Sequence, residues 1–503
     1  MSGIVILGLG PGALDQLTRE AWSVLTAADE LWCRTIHHPL VAELPKTLQL
    51  HSFDALYEQL PTFEQVYAAI VSEVLALGQR ERGVIYATPG HPLIAESTVP
   101  EILARARAAG VPVRVVAGLS FIEPVLTALE AARFASPQAS TDALPAPSTW
   151  QDAVDGLQIA DALEVLALAH PTFKPDAPAL IAQVYSRSVA SELKLTLMNE
   201  YPDEHPVALI EAAGTAAQSV TWLPLYAIDR QDLGPLSTLY LAPMVPGTSF
   251  ENFQATIAQL RSPEGCPWDR EQTHLSLRTN LLEETYEVLD AIDREDMLDL
   301  REELGDLLLQ IVLHTQIAVE DGDFQMHEVL AGIDAKIKHR HPHVWGTTQV
   351  AGAAEVIQNW EAIKRREREA NGKSERSLLD SIPLTLPALS QTYAYSSRAK
   401  RVGFDWDSIE GVRAKVAEEL AELDAAASPE ERAMELGDVL AALANLARWL
   451  EIDPESALRE SNQRFARRFR RVEALAREQG LLLERLDIAA LEQLWQTAKT
   501  QVR

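Results

Sequence analysis

Two stretches of the sequence, LLEETYEVL at residues 281–289 and RAKVAEELAEL at residues 413–423, carry the same Glu-Glu-x-x-Glu pattern. Each is followed by a Glu-Leu-Gly-Asp tetrad, at residues 303–306 and 435–438. Residues three or four apart lie on one face of an α-helix, so each pattern predicts a helix with its carboxylates on one side. The apolar residues between the acids favour packing in a bundle over a solvated face. The C-terminal half is therefore predicted to be all-α and to contain the same unit twice.

The gathered acids predict a cation site in each unit. Two such helices side by side direct several carboxylates at one point, and like charges brought together repel unless a cation lies between them. Ligands that are all oxygen suit Mg²⁺ or Mn²⁺ and hold zinc poorly.

The repeat extends on both sides of the acids. An aromatic precedes each acidic helix, in Cys-Pro-Trp-Asp at residues 266–269 and in Gly-Phe-Asp-Trp-Asp at residues 403–407. A basic stretch follows, at residues 334–341 and 462–469. An aromatic that stacks on a base, carboxylates for a metal and cations for phosphate together predict a nucleoside triphosphate site.

Residues from about 250 to 480 resemble a tandem MazG-type nucleoside triphosphate pyrophosphohydrolase. The Cys-Pro-Trp-Asp segment at residues 266–269, both acidic motifs and the run at residues 340–346 occur in the order that this family has. The resemblance implies that Mg²⁺ or Mn²⁺ supports cleavage of a nucleoside triphosphate to the monophosphate and pyrophosphate. It implies the metal ligands Glu284, Glu287, Glu303 and Asp306, and Glu419, Glu422, Glu435 and Asp438. Nucleotide contacts are expected at Trp268, Lys336, Arg340, Trp406 and Asn462.

The two copies differ where phosphate would be held. Lys415 lies one turn before Glu418 and matches a phosphate-binding lysine of the family, whereas Asn280 stands at its place in the first copy. We therefore expect the second copy to be the stronger catalytic centre, although the first keeps all its acids. Its expected catalytic residues are Lys415, Glu418, Glu419, Glu422, Arg464 and Arg468. The alternative for the basic residues is a set of paired charges on the helices.

The composition excludes several classes of protein. With 44 basic and 73 acidic residues the net charge is −29, and so acidic a surface repels nucleic acid polymers. No stretch approaches the roughly eighteen consecutive apolar residues of a membrane span, and the first residues, MSGIVILG, lack the basic segment of a signal peptide. Only Cys33 and Cys266 are present, too few for a disulfide framework, and we expect a cytoplasmic protein.

The N-terminal half alternates apolar runs with helical patterns. Runs at residues 3–7, 83–87 and 111–116 predict the strands of a parallel α/β sheet. An Ala/Pro/Ser-rich interval from about residue 135 to 148 precedes a second lobe, whose predicted strands are residues 163–169, 207–212, 221–228 and 237–242. The predicted domains are a two-lobed α/β module at residues 1–245, with lobes at about 1–130 and 150–245, and helical copies at 250–370 and 385–495. We expect a ligand cleft between the lobes.

The loop Gly8-Leu9-Gly10-Pro11-Gly12-Ala13 formally fits a dinucleotide fingerprint. Pro11 removes an N–H where a pyrophosphate would bind, and the next predicted strand, residues 31–34, ends without an acid for a ribose. A glycine turn without a ligand is a further alternative, because the motif alone is weak.

Taken with the segments at residues 86–93 and 117–120, the loop resembles the tetrapyrrole (corrin and porphyrin) methylases over about residues 1–245. The resemblance implies S-adenosylmethionine folded in a cleft between two α/β lobes. The positions that match its contacts are Pro11, Pro89, Gly90, His91, Ile94, Ser120, Phe121 and Gly214.

One position departs from this family. His91 replaces the Asp of the Gly-Asp-Pro sequence that is usual in the family. An imidazole does not replace the acceptor capacity of a carboxylate. Segments at residues 157–159, 183–185 and 189–197 resemble the YabN-like subgroup, in which this module is fused to MazG. The expected protein is a homodimeric pyrophosphohydrolase with a cofactor-binding N-terminal module. The alternatives are a tetrapyrrole methyltransferase with an accessory helical half, and a cofactor sensor that regulates the hydrolase.

Overall fold

The computed structural model describes residues 3–135, 149–370 and 377–502. Most of the predicted Ala/Pro/Ser-rich interval, residues 136–148, lies outside the described residues. The chain divides into two compact units, Met1–Val329 and Leu330–Arg503. The boundary between them falls inside the first helical copy.

The first lobe is built on a parallel sheet, which confirms the prediction. Its strand order is β3-β2-β4-β1-β5, and every pairing is parallel. Ile4 and Ile6 pack into one apolar core while Leu7 packs into another, so the run is buried on both faces. The strands are β1 Ile4–Gly8, β2 Glu30–Cys33, β3 Gln49–Ser52, β4 Val84–Thr88 and β5 Val113–Val116. The helices are α1 Arg19–Thr26, α2 Asp54–Gln59, α3 Phe63–Gly78, α4 Thr98–Ala108 and α5 Ile122–Ala135.

The second lobe has a mixed sheet of order β6-β7-β10-β8-β9. β6 and β7 are parallel, and the other pairings are antiparallel. Its strands are β6 Gln158–Asp161, β7 Ala179–Ala182, β8 Pro206–Glu211, β9 Ser219–Pro224 and β10 Ser237–Leu241. Its helices are α6 Trp150–Val154, α7 Ala162–Leu166 and α8 Arg187–Leu197.

One strand prediction in this lobe is wrong, because residues 163–166 of the predicted strand 163–169 lie in helix α7. The Asp161 carboxylate accepts a hydrogen bond of 2.8 Å from the Leu163 N–H and caps the helix. Ala162 and Val165, three residues apart, are both buried. A short apolar run does not distinguish a strand from a buried helix, and the capping residue decides here. The predicted strand 221–228 ends at Pro224, after which the chain forms a 3₁₀ turn.

From Phe250 onward the described chain is helical, which confirms the all-α prediction. The helices are α9 Phe250–Leu260, α10 Pro267–Glu271, α11 Arg278–Asp293, α12 Met297–Asp321, α13 Met326–Arg340, α14 Pro342–Trp345, α15 Ala353–Ala370, α16 Ala388–Lys400, α17 Ile409–Ala425, α18 Pro429–Trp449, α19 Pro454–Glu478 and α20 Ile488–Gln501. Within the described ranges, no helix combines the length and the apolar character needed to cross a bilayer.

Asp176 ties the second lobe to the start of α9. Its carboxylate accepts hydrogen bonds from the Gly247 N–H at 3.3 Å, from the Ser249 N–H at 3.2 Å and from the side chain of Asn252. Although burial acts to raise the pKa of Asp176, these bonds hold that pKa below its ordinary value. The α/β module and the first acidic helices accordingly belong to one compact unit.

Candidate active site

The first carboxylate site lies on the helix pair α11 and α12. Arg294, between the two helices, pairs with Asp290 at 2.9 Å and also with Asp299. Asp296 caps α12 by accepting hydrogen bonds from the N–H groups of Leu298 and Asp299. These contacts fix a tight connection, and the two helices pack against each other along their length.

Three of the four acids predicted for the first copy come together across this helix pair. Oxygen atoms of Glu284, Glu303 and Asp306 all lie within 4.8 Å of one another. Burial, followed by the neighbouring Asp306 and Glu287, raises the pKa of Glu284 above its ordinary value. Burial and the neighbouring acids also raise the pKa of Glu303. Crowded carboxylates with raised pKa values favour a bound cation.

The second copy builds a corresponding cluster on α17 and α18, with Glu422 in place of the equivalent of Asp306. Ser428 and Glu431 form a reciprocal capping box at the start of α18. Oxygen atoms of Glu419, Glu422 and Glu435 lie within 4.8 Å of one another, and Glu419 is only 6% exposed. Burial, then Glu419 and Glu435, raise the pKa of Glu422.

Lys415 lies beside the second cluster, as its helical spacing predicts. Its Nζ atom is 2.6 Å from Oε1 of Glu419 and 2.9 Å from Oε1 of Glu418. Hydrogen bonds to Glu419 and then Glu418 raise the pKa of Lys415. The corresponding position of the first copy is Asn280 on α11, which carries no charge.

The fourth acid of each copy stands apart from its cluster. Glu287 is close enough to raise the pKa of Glu284, but it is not part of the group that lies within 4.8 Å. Asp438 is exposed and also lies outside the corresponding group. The spacing of the motif correctly gives the helix face, whereas the side-chain direction decides which oxygens converge.

The expected phosphate-binding arginines make contacts elsewhere in the structure. Arg464 is 3.8 Å from Glu460, and Arg468 donates a hydrogen bond of 3.4 Å to the Val502 carbonyl. Arg340 makes a bidentate ion pair with Glu367, at 2.7 and 3.3 Å, and this pair lowers the pKa of Glu367. The sequence carries no signal for Glu367, because it lies 27 residues away on another helix.

The remaining nucleotide-binding candidates are on the surface. Trp268 is 58% exposed on α10, and Trp406 is 42% exposed before α17. Lys336 on α13 and Asn462 on α19 are exposed as well. Lys336 and Arg340 belong to the second compact unit, whereas the acids of the first copy belong to the first unit.

Three loops meet closely at the carboxyl ends of β1, β4 and β5. A Cβ atom on Gly8 would lie 2.5 Å from the Gly90 carbonyl oxygen and 2.6 Å from the Gly118 nitrogen. Gly10 and Gly90 exchange backbone hydrogen bonds of 2.8 and 3.2 Å. Gly90 has a φ of +65°, and the one described atom within 4 Å of a Cβ atom there is the Leu119 carbonyl oxygen, at 3.9 Å. Gly90 therefore borders open space, where a ligand has room.

The two lobes also touch beside these loops. A Cβ atom on Gly214 would lie 2.3 Å from Nε2 of Gln16, and one on Gly12 would lie 3.0 Å from the Thr215 side chain. Gly12 follows Pro11 in the loop after β1, so Pro11 and Gly214 lie near the contact between the lobes.

The other predicted cofactor positions follow Pro89 and Leu119 in these loops. The Nδ1 atom of His91 accepts a hydrogen bond of 3.1 Å from the Leu93 N–H. Ser120 is buried and donates to Glu123 at 2.6 Å. Ile94 is 36% exposed, and Phe121 packs against the apolar core of the second lobe. His91 is thus occupied in shaping its own turn.

Two known protein families match separate parts of the chain. The family model of the tetrapyrrole (corrin/porphyrin) methylases matches residues 3–229, and the model of the MazG nucleotide pyrophosphohydrolase domain matches residues 272–345. A solved uroporphyrin-III-C-methyltransferase from Thermus thermophilus is 23% identical, covers 48% of this chain and 94% of its own, and has a TM-score of 0.33. That score is too low to support an inference.

Three relatives are much more similar. "Uncharacterized protein YabN" of Bacillus subtilis (strain 168) is 39% identical over 514 residues, which cover 99% of each chain. The nucleoside triphosphate pyrophosphohydrolase/pyrophosphatase MazG of Thermotoga maritima is 44% identical over 253 residues, 50% of this chain and 96% of the relative. The nucleoside triphosphate pyrophosphohydrolase of Escherichia coli (strain K12) is 45% identical over 253 residues, 49% of this chain and 95% of the relative. The chain therefore belongs over its whole length to the family of YabN and, over its C-terminal half, to the MazG family of nucleoside triphosphate pyrophosphohydrolases.

Proposed function

We propose that this protein is a Mg²⁺-dependent pyrophosphohydrolase that cleaves nucleoside triphosphates to monophosphates and pyrophosphate. The observation that carries the proposal is the convergence of three carboxylates from two paired helices, once in each copy. The relatives from Thermotoga maritima and Escherichia coli, named for this activity, align over 253 residues, about half of this chain. The proposed hydrolase domains are residues 250–370 and 385–495.

The carboxylate clusters fit a hard divalent cation. Their donor atoms are all oxygens, and burial together with the neighbouring acids raises the pKa values of Glu284, Glu303 and Glu422. Glu284, Glu303 and Asp306 would hold the metal in the first copy, and Glu419, Glu422 and Glu435 in the second. A bound Mg²⁺ neutralises charge on the triphosphate and lowers the pKa of a bound water.

The chain's own residues have separate roles around that metal. Glu418 is exposed beside the second cluster and is the candidate that accepts a proton from the attacking water. Lys415 can exchange its contact with Glu419 for one with a phosphate oxygen, because its side chain is flexible and 37% exposed. Trp268 and Trp406 offer exposed rings on which a base can stack.

The direct test is pyrophosphate release from a panel of standard and modified nucleoside triphosphates, with Mg²⁺, with Mn²⁺ and with a chelator. We expect monophosphate and pyrophosphate as products, with no turnover in the chelator. Release of inorganic phosphate instead of pyrophosphate would contradict the proposal.

For the N-terminal module we propose that S-adenosylmethionine binds against the loop that contains Gly90. The open space beside Gly90 and the close approach of the loops after β1, β4 and β5 support this site. Two readings remain distinct: a tetrapyrrole methyltransferase with an accessory hydrolase, and a sensor whose cofactor alters hydrolysis. Calorimetric titration with S-adenosylmethionine tests binding. Hydrolysis rates with and without this ligand separate the two readings, because a sensor requires a coupling free energy between the sites.

We also propose that the protein assembles as a homodimer. Equivalent apolar residues are exposed along the second acidic helix of each copy, namely Leu304, Leu308 and Ile311 on α12 and Leu436, Leu440 and Leu443 on α18. Apolar rows of this kind favour burial against another helical surface, and a second chain supplies one. Sedimentation velocity should show a dimer, and a monomer across micromolar concentrations would contradict the assembly.

A further inference from the structure

The two carboxylate clusters differ in whether the chain itself supplies a cation. The copies carry matching acids at matching helical positions, but position 280 is Asn where position 415 is Lys. Both positions lie three residues before the first glutamate of the motif, one turn away along the helix. This difference in charge lies beside clusters whose converging acids also differ, since Asp306 completes the first cluster and Glu422 the second.

In the second copy, Lys415, whose side chain is 37% exposed, contacts the one buried acid of the cluster. Its Nζ atom contacts Oε1 of Glu419 at 2.6 Å, and the Glu419 side chain is only 8% exposed. A buried carboxylate requires a partner, because a desolvated charge left unpaired is costly. Lys415 provides that partner in the free protein, and Glu418 shares the same ammonium group at 2.9 Å.

In the first copy the corresponding carboxylate has acidic neighbours. Oxygen atoms of Glu284, Glu303 and Asp306 lie within 4.8 Å of one another, so each of these carboxylates faces two others. The amide at position 280 adds no charge to oppose them. Among the described residues, no Lys or Arg forms an ion pair with Glu284, Glu303 or Asp306, so a divalent cation that enters this cluster relieves repulsion without breaking such a pair.

We propose that Lys415 is a built-in cation that a metal must displace, so that the second copy binds its metal together with the triphosphate, whereas the first copy binds metal without nucleotide. In the free protein, the ammonium group and a divalent cation compete for Glu419. A bound triphosphate gives the ammonium group a new anionic partner, which frees Glu419 to ligate the metal. Lys415 is thereby a positioning residue that couples the two ligands. The inference rests on the function proposed above for the second copy.

Binding of Mn²⁺ to the full chain without nucleotide tests the first half of the proposal. Electron paramagnetic resonance of free Mn²⁺ reports the affinity independently of turnover. Glu284→Gln combined with Asp306→Asn silences the first cluster, and Glu419→Gln combined with Glu435→Gln silences the second. We expect the chain with only its first cluster to bind Mn²⁺ more tightly than the chain with only its second. Equal affinities, or the reverse order, would overturn the proposal.

Reciprocal substitutions assign the difference to the lysine. With the first cluster silenced, Lys415→Asn should tighten Mn²⁺ binding by roughly tenfold at low ionic strength, because a positive charge a few ångströms away is removed. Lys415→Arg keeps that charge and should leave the affinity within about twofold of the parent. With the second cluster silenced, Asn280→Lys should weaken binding by a similar factor. An unchanged Mn²⁺ affinity in Lys415→Asn would refute a role for the charge. So would an equal gain in Mn²⁺ affinity in Lys415→Arg and Lys415→Asn.

The second half is tested with an α,β-methylene triphosphate, which resists cleavage at the proposed bond. In the chain with the first cluster silenced, this analogue should tighten Mn²⁺ binding by a larger factor when residue 415 is Lys than when it is Asn. Equal factors would refute the exchange of partners. Hydrolysis is measured separately: if nucleotides are not cleaved while the Mn²⁺ affinities behave as expected, the proposed reaction fails and the competition between Lys415 and metal stands.

Discussion

Asp405 and Arg448 form a buried ion pair in the second helical copy, with Nη2 of Arg448 2.6 Å from Oδ1 of Asp405. The arginine side chain is 6% exposed and the aspartate side chain 13% exposed. The indole N–H of Trp449 donates to the same oxygen at 3.1 Å, and Nε of Arg448 donates to Asn445 at 2.8 Å. This network joins the segment before α17 to the end of α18.

Loss of the Asp405 carboxylate should therefore lower the stability of the second copy. Asp405→Asn leaves a buried guanidinium without its counter-charge, and we expect the free energy of unfolding to fall by about 3 kcal/mol. Asp407→Asn, two residues further on at an exposed position, is the matched control and should change it by less than about 0.5 kcal/mol. Urea denaturation followed by circular dichroism measures both, and equal effects would show that the buried pair is not the cause.

The ion pair of Asp405 and Arg448 also predicts how the difference in unfolding free energy between wild type and Asp405→Asn depends on pH. Burial acts to raise the pKa of Asp405, but hydrogen bonds from Arg448, Trp449 and the Trp406 N–H hold it below its ordinary 3.8. A carboxyl group whose pKa is lowered by folding stabilises the fold above its unfolded pKa and loses that contribution as the pH falls through its folded pKa. The gap in unfolding free energy between wild type and Asp405→Asn should stay constant from about pH 8 to pH 5 and narrow below about pH 4. A gap that closes near neutral pH would implicate another group.

Hydrolysis should depend on the acids that converge and less on those that stand apart. Glu435→Gln removes an oxygen of the second cluster and should lower Mg²⁺-dependent turnover by about 100-fold or more, because charge on the phosphates is then less well neutralised. Asp438→Asn, on the same helix but outside the cluster, should cost about tenfold or less. Steady-state pyrophosphate release at saturating Mg²⁺ measures both.

The ranking of the copies is tested in the same assay. Glu419→Gln with Glu435→Gln should remove most of the turnover, and Glu284→Gln with Asp306→Asn should retain more of it. The opposite order would make the first copy the main catalytic centre.

Binding of S-adenosylmethionine should depend on the space beside Gly90. Gly90→Val places a branched side chain in that space, and we expect at least about a 100-fold loss of affinity by calorimetry. Gly110→Val is the matched control, because Gly110 also has a positive φ, +68°, but lies beyond α4 with nothing within 4 Å of a new Cβ atom. Equal losses in both variants would point to backbone strain and not to the ligand's space. Pyrophosphate release should survive the Gly90 change. If the module is a sensor, the change should abolish the effect of S-adenosylmethionine on the hydrolysis rate.

The sequence predicts the local geometry of this protein well. The acids, Lys415 and their helix faces follow from spacing of three and four residues, and β1, β4 and β5 follow from short apolar runs between helical patterns. These features are encoded within one or two turns of chain. The strand predicted at residues 163–169 is wrong, because the signal for helix α7 is the single capping residue Asp161.

Other features depend on residues that are distant in the sequence. Arg448 pairs with a carboxylate 43 residues away, and Arg340 with one 27 residues away. Periodicity within a helix gives no information about such partners, which are selected when helices pack. Rotamers are set at the same stage, and they separate Glu435 from Asp438, although both belong to one tetrad.

The contact among the loops of Gly8, Gly90 and Gly118 has a consequence for how related sequences evolve. A methyl group on Gly118 would lie 2.3 Å from the Gly90 carbonyl oxygen, so even alanine would force the loops apart. Selection on folding alone would therefore retain Gly8 and Gly118 in related sequences, whether or not the loops bind a ligand. His91 differs from these glycines, because its described constraint is the side-chain hydrogen bond from the Leu93 N–H and not the space between the loops.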